Sequence, residues 1–208
     1  MTDLELLDLA IYAKKGLAGR KRGLSRFNLE FVTAPNTLVI AGSNDLRDWL
    51  RNINTRLVPF ELSCKKGVQS LGMVHEGFLE AAYLLYRDAV RAARDDETIH
   101  IAGHSLGGAV ASLLAVLLWQ EGYLPKLTTW GAPRVGNETF ATSFPLSARR
   151  YVCGRDPVPR LPWWGYASLG DETTLASPNG RLSWLRDHKL GSYKRALEIQ
   201  RDFSSPTE

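Results

Sequence analysis

Cysteine is scarce in this chain of 208 residues: Cys64 and Cys153 occur, far apart and in no metal-ligand spacing. Two such residues do not make a disulfide framework, and a reduced intracellular chain is the simpler inference, with a single bridge left open. Long apolar runs are also missing. The longest, Leu106 to Trp119, falls short of the roughly 20 residues that a spanning helix needs and suits a buried core helix, so no transmembrane segment is expected. The N-terminus opens acidic, Met1-Thr-Asp-Leu-Glu-Leu-Leu-Asp, without the positive region that precedes the apolar stretch of a secretory signal. A cytoplasmic location is the expectation. No repeat or low-complexity segment appears. Net charge is only +4, and the basic stretch Lys14, Lys15, Arg20, Lys21, Arg22 and Arg26 has no interleaved aromatics. It reads as solvated surface, and no nucleic-acid partner is expected.

What is present suits one folded unit over residues 1–208, since 44% of residues are hydrophobic and 23% charged. Leu4, Leu7 and Ile11 lie at helical spacing and predict an amphipathic helix. Thr37–Ala41, Thr98–Ala102, Lys126–Trp130 and Arg150–Cys153 are short, partly β-branched and bounded by Gly, Pro or Asp, as strands are. Between them, Phe78–Arg94 and Leu106–Glu121 are long and periodic enough to be helices. Such alternation predicts an α/β fold, with a mostly parallel central sheet flanked by helices and functional residues on loops beyond the carboxyl ends of the strands. Asn52–Gly72 and Pro157–Gly180 read as loop-rich, and loops of that length are usually functional or disordered.

Gly103-His104-Ser105-Leu106-Gly107 fits G-x-S-x-G, with a predicted strand running into it and an apolar helix leaving it. A serine presented on so tight a turn needs minimal side chains on both flanks, which glycine supplies. The run Gly103 to Ala109 resembles the nucleophile elbow of the class 3 lipases, and four further stretches follow in that family's order. Ala41-Gly-Ser43 with Asp48-Trp49 is similar to its oxyanion loop and lid, and His75-Glu-Gly-Phe78 to a helix start. Gly131-Ala-Pro-Arg-Val-Gly-Asn137 and Arg155-Asp-Pro-Val-Pro159 with Leu161-Pro162 are similar to its later segments. The resemblance spans Leu38 to Tyr193 and implies an α/β-hydrolase fold with a short lid helix. Ala41 departs from the arginine usual in the family.

A serine hydroxyl needs a base to take its proton and a third group to orient that base. One histidine follows Ser105, namely His188, and the expected chain order is Ser, acid, His. His75 lies upstream, His100 alternates along a strand and His104 is locked in the elbow, so all three read as structural. For the acid, Asp187, Asp171 and Glu172 are candidates beside Asp156. Asp187 adjoins the base, where side chains rarely meet in the needed geometry, and Asp156 follows a predicted strand and matches the family motif. The N–H of Leu106 should be one oxyanion donor, and the resemblance implies Ser43 as the second, although Ser43 also suits a helix N-cap.

Leu46, Trp49, Leu50 and Ile53 share one helical face, and the resemblance makes residues 44–53 a candidate lid; an ordinary core helix has the same pattern. Trp163, Trp164, Tyr166 and Leu169 are either an apolar rim or core. The expected chemistry is carboxylic ester hydrolysis through a Ser105 acyl-enzyme, with no metal or cofactor. By resemblance the substrates are acylglycerols met at a lipid–water interface. Phospholipase A1, a short-chain or feruloyl-type esterase, and a catalytically silent lipid-binding module are the alternatives.

Overall fold

The computed structural model describes residues 1–15, 21–24, 27–42, 56–64, 67–93, 98–180 and 184–204. Its centre is a sheet built from β1 (Lys21–Leu24), β2 (Phe27–Ala34), β3 (Thr37–Ala41), β6 (Thr98–His104), β7 (Leu124–Trp130), β8 (Ala148–Cys153) and β9 (Glu172–Leu175), in the order β1-β2-β3-β6-β7-β8-β9. β1 pairs with β2 and β2 with β3 antiparallel, and β3, β6, β7, β8 and β9 are mutually parallel. Two further strands, β4 (Leu57–Cys64) and β5 (Gly67–His75), form a separate antiparallel pair.

Apolar residues on alternating positions decide which face each strand covers. Leu38 and Ile40 of β3 and Ile99 and Ile101 of β6 pack in one core, with helices α2 (Glu76–Ala93) and α3 (Leu106–Gln120). Val39 and Ala102 point to the other face, with Leu6, Leu7 and Ala10 of α1 (Asp3–Lys14) and Tyr193, Ala196 and Leu197 of α6 (Leu190–Ser204). Parallel strands buried on both faces need such near-continuous apolar runs. Helix α3 is buried from Leu106 through Leu118 because it is apolar all round and touches both the sheet and α2. Deleting one of these side chains, as in Ile40→Ala, costs about 2–5 kcal/mol.

The first helix has a defined start. Thr2 Oγ1 accepts from the Glu5 N–H at 3.3 Å while Glu5 Oε2 accepts from the Thr2 N–H at 2.7 Å, a reciprocal capping box. Asp3 then accepts from Tyr151 Oη at 2.7 Å and Arg149 Nη1 at 2.9 Å, which ties α1 to β8. Loss of water around Tyr151, with the Asp3 carboxylate beside it, pushes this phenol up to about 12.

Two segments differ from the loops expected. Residues 57–64 and 67–75 form the β4–β5 hairpin rather than an open loop, with Phe60 and Leu62 buried. Pro59 masks this strand in the sequence, yet a two-stranded ribbon is all edge and accommodates proline, and the ladder shifts register between Phe60 and Glu61. The Pro157–Gly180 segment contains a 3₁₀ turn at Val158–Arg160 and the edge strand β9. In the register of the sheet His104 lies opposite Trp130, and Trp130 opposite Tyr151. The carboxyl ends of β6, β7 and β8 are thus side by side, and the loops leaving them converge.

Candidate active site

Ser105 is the single residue between β6 and α3, with φ 56° and ψ −131°. A positive φ at a residue with a Cβ costs roughly 1–3 kcal/mol and persists only where its surroundings enforce it. Here the Ser105 N–H donates to the Trp130 carbonyl at 2.9 Å, and its carbonyl accepts from Gly108 N at 2.9 Å and Ala109 N at 3.3 Å. The flanking glycines make the turn possible. A Cβ on Gly103 would strike the backbone of Gly107, and one on Gly107 would strike the backbone of Ile40. The serine oxygen therefore leaves the sheet at the amino end of α3. There the first N–H groups, Leu106 among them, lack intrahelical partners and carry partial positive charge.

Past α4 (Glu138–Thr142), His188 sits in the turn between α5 (Trp184–Asp187) and α6. The structure brings it to Ser105 and Asp156: Nε2 lies 2.8 Å from Ser105 Oγ and Nδ1 2.8 Å from Asp156 Oδ2. All three residues are buried. A carboxylate only accepts, so Nδ1 carries the proton and Nε2 presents its lone pair to the serine hydroxyl. Asp156 is anchored on both oxygens. Oδ1 accepts from the Val158 N–H at 2.9 Å, and Oδ2 accepts from Tyr193 Oη at 2.6 Å as well as from His188. Burial, and next the Asp156 charge, push the Tyr193 phenol well above its usual range, so it remains a donor.

Two other histidines bond to nearby backbone. His104 Nε2 donates to the His188 carbonyl at 2.7 Å, and burial, followed by the closeness of the second imidazole, holds His104 well below its usual range, in its neutral form. His75 Nδ1 accepts from the N–H groups of Gly77 at 3.1 Å and Phe78 at 3.3 Å at the start of α2. Among the alternative acids, Asp187 accepts from Arg155, Ser177 and Asn179 instead of from the imidazole. Asp171 and Glu172 are exposed, and Glu172 lies 3.7 Å from Arg160.

Leu106 is buried at the first position of α3. Ser43 and the candidate lid residues Leu46, Trp49, Leu50 and Ile53 lie outside the described residues. Gly42, just before Ser43, abuts Ser105: a Cβ there would fall 2.8 Å from both Ser105 Cβ and the His104 carbonyl. The aromatic loop splits. Trp163 and Trp164 are 78% and 83% exposed, whereas Tyr166 and Leu169 are buried, with Leu169 in the main core. Sequence reasoning missed Tyr193 and Gly131. The former carries no local signal, and the latter was visible only as part of a motif. Gly131 has φ +59°, and a Cβ on it would meet Asp156 Oδ2 at 2.7 Å and Tyr193 Oη at 2.9 Å.

Residues 37–166 match the family model for lipase (class 3). The chain belongs to the class 3 lipases. It is 39% identical over 172 residues to secreted mono- and diacylglycerol lipase 1 of Fusarium solani, a match that covers 76% of this chain and 50% of that protein. It is 29% identical over 164 residues to secreted mono- and diacylglycerol lipase A of Penicillium cyclopium, covering 74% of this chain and 52% of the relative. The chain thus spans about half the length of these relatives. A solved triacylglycerol lipase, whose catalytic centre is described as a serine protease triad, is 31% identical with a TM-score of 0.58, over 75% of this chain and 65% of that one. The architecture is the α/β-hydrolase fold.

These relatives correct one expectation. A cytoplasmic location, inferred from the acidic N-terminus and the scarcity of cysteine, conflicts with the description of the Fusarium and Penicillium proteins as secreted. The features of the first few residues and a count of two cysteines are not sufficient to assign a compartment. Among the described residues no helix is long and apolar enough to cross a membrane.

Proposed function

We propose that this chain is a serine carboxylic ester hydrolase that cleaves acylglycerols. The observation that carries the reading is the continuous path Ser105 Oγ, His188 Nε2, His188 Nδ1, Asp156 Oδ2, with both hydrogen bonds at 2.8 Å. Ser105 Oγ attacks the ester carbonyl carbon as His188 Nε2 takes its proton, and Asp156 stabilises the imidazolium that results. Negative charge collects on the former carbonyl oxygen, facing the Leu106 N–H and, by family resemblance, Ser43. A well-aimed donor of this kind contributes about 2.7–4 kcal/mol to the transition state. His188 returns the proton to the departing alcohol oxygen, leaving an acyl-enzyme. Water then repeats the sequence, with its proton passing through His188 to Ser105 as the acid is released.

The choice of acylglycerols rests on the relatives named for mono- and diacylglycerols and on the exposed Trp163–Trp164 pair. Two adjacent exposed tryptophans suit contact with a lipid surface. The amphipathic residues 44–53 fit a lid, because the chain enters this segment from Gly42, in contact with Ser105. An active-site fluorophosphonate tests the core of the proposal. It labels the native protein, and Ser105→Ala abolishes labelling; absence of labelling in the native protein refutes the enzyme reading and leaves the lipid-binding module. A jump in rate as long-chain esters pass their solubility limit supports the lid and lipid surface, and plain saturation supports an esterase.

A further inference from the structure

A second buried carboxylate, Asp187, lies beside the base but turns away from the imidazole. Its Oδ2 accepts from the Arg155 N–H at 3.0 Å, and its Oδ1 accepts from Ser177 Oγ at 2.7 Å and Asn179 Nδ2 at 3.0 Å. The Asn179 amide also donates to Ser192 Oγ at 2.9 Å, and Ser192 Oγ donates to the Arg186 carbonyl at 2.8 Å. One carboxylate thereby joins the loop after β8, the segment after β9 and the turn between α5 and α6. Gly154 belongs to the same device. Its φ is +50°, and a Cβ there would collide with Asp187 Oδ2 and lie 2.5 Å from Ser177 Cβ, so only glycine lets the carboxylate reach the backbone of Arg155.

The residues on either side of this junction are the ones whose spacing matters. Arg155 immediately precedes Asp156, and Asp187 immediately precedes His188. Asp156 and His188 both lie beyond the ends of strands; the sheet holds their backbones, through the Cys153 carbonyl at 3.0 Å and His104 Nε2 at 2.7 Å, but does not join one loop to the other. We propose that Asp187 is a positioning residue, a clasp that fixes the base-bearing turn against the acid-bearing loop and so sets the His188–Asp156 and His188–Ser105 distances. A buried carboxylate with several donors suits this work, because charge-assisted bonds are short and directional. The inference rests on the proposed triad.

The test compares Asp187→Ala, Asp187→Asn and Ser177→Ala with the native protein. Fluorophosphonate labelling rate, kcat and KM on soluble p-nitrophenyl butyrate, and melting temperature are measured. Asp187→Ala is expected to lower the labelling rate and kcat about 10- to 100-fold with KM little changed, well below its melting temperature, as a misplaced base does. Asp187→Asn keeps an acceptor for Arg155 and can offer its amide to the rotatable Ser177 hydroxyl but loses the acceptor for Asn179 Nδ2, so it recovers part of the rate. A folded Asp187→Ala with native labelling rate and kcat overturns the inference. Should that variant not fold, Ser177→Ala decides: a reduced kcat at unchanged KM supports the clasp, and native kinetics overturns it. If the native protein is not labelled at all, the triad reading itself has failed and this inference falls with it.

Discussion

Gly131 offers a direct test of how tightly the site is packed. At φ +59° the backbone is left-handed, and an alanine Cβ would lie 2.7 Å from Asp156 Oδ2, 2.9 Å from Tyr193 Oη and 3.2 Å from His188 Cε1. A relaxed carbon–oxygen contact is about 3.3–3.6 Å, so the carboxylate must retreat by about 0.6–0.9 Å or the loop must move. The backbone strain alone costs roughly 1–2 kcal/mol, which for a chain of this size lowers the melting temperature by about 2–8 °C. Displacing the acid by most of an ångström costs more in rate. A misplacement of about 1 Å can remove roughly 100-fold in kcat, equivalent to about 2.7 kcal/mol of barrier. Gly170→Ala is the matched control: Gly170 has φ +45°, and nothing lies within 4 Å of its would-be Cβ. With kcat and KM measured on a soluble ester beside thermal melts, both variants should lose stability, Gly131→Ala the more because of its buried contacts, and only Gly131→Ala should lose kcat. Equal activity in the two variants would refute the claim that the Asp156–Tyr193–His188 contact is too close for a methyl group.

Two further outcomes are expected. Replacing Trp163 and Trp164 together by alanine should reduce the rate on emulsified long-chain esters while leaving a soluble short-chain ester unaffected, because both rings are exposed; an equal fall on both substrates would contradict a surface-binding role. Acidification should destabilise the protein through His104. Its folded pKa lies well below 6.5, so below pH 6.5 the unfolded chain binds a proton that the native state does not, and stability falls as pH falls until the folded pKa is reached. The slope from this residue is at most about 1.4 kcal/mol per pH unit. In denaturant titrations across this window, His104→Gln, which keeps a donor for the His188 carbonyl, should show a shallower slope than the native protein; an unchanged slope would contradict a neutral His104.

The parallel core was legible because each strand carries apolar residues on both faces and each flanking helix has its own period. Thr37–Ala41 is a strand over the expected residues, and Leu106–Gln120 ends one residue before the predicted boundary. β2 shows what was missed: Leu29 and Phe31 alternate with polar neighbours, and Pro35-Asn36, with Asn36 at φ 52°, turns the chain into β3. That signal was present, but the preceding run of basic residues obscured it. The β4–β5 hairpin failed for a different reason, since Pro59 contradicts a central strand and only the tertiary setting shows that this pair has no central strand. Tyr166 and Leu169 could not be separated from Trp163 and Trp164 by composition, because burial of an aromatic in a loop depends on partners elsewhere in the chain.

The same distinction divides the site. The turn at Ser105 is crowded both by itself, where Gly103 meets Gly107 and Gly108, and by distant chain, where Gly107 meets Ile40 and Gly108 meets Ala132. The glycines that relieve these contacts all sit within three positions of Ser105, so the pattern is local even though the contacts are not, and Ser105 could be read from it. The base turn is different. His188 is fixed from beneath by His104, 84 positions earlier, and bonds to Asp156, 32 positions earlier. Tyr193 reaches that same carboxylate across 37 positions. Arg155 reaches Asp187, the neighbour of the base, across 32. None of these separations recurs as a spacing rule, because intervening loops can lengthen or shorten without moving the bonded atoms. His188 was reached by counting histidines and by family resemblance. Its supporting residues, Tyr193 and Asp187, became apparent only when the chain was folded and the donors to two buried carboxylates could be traced.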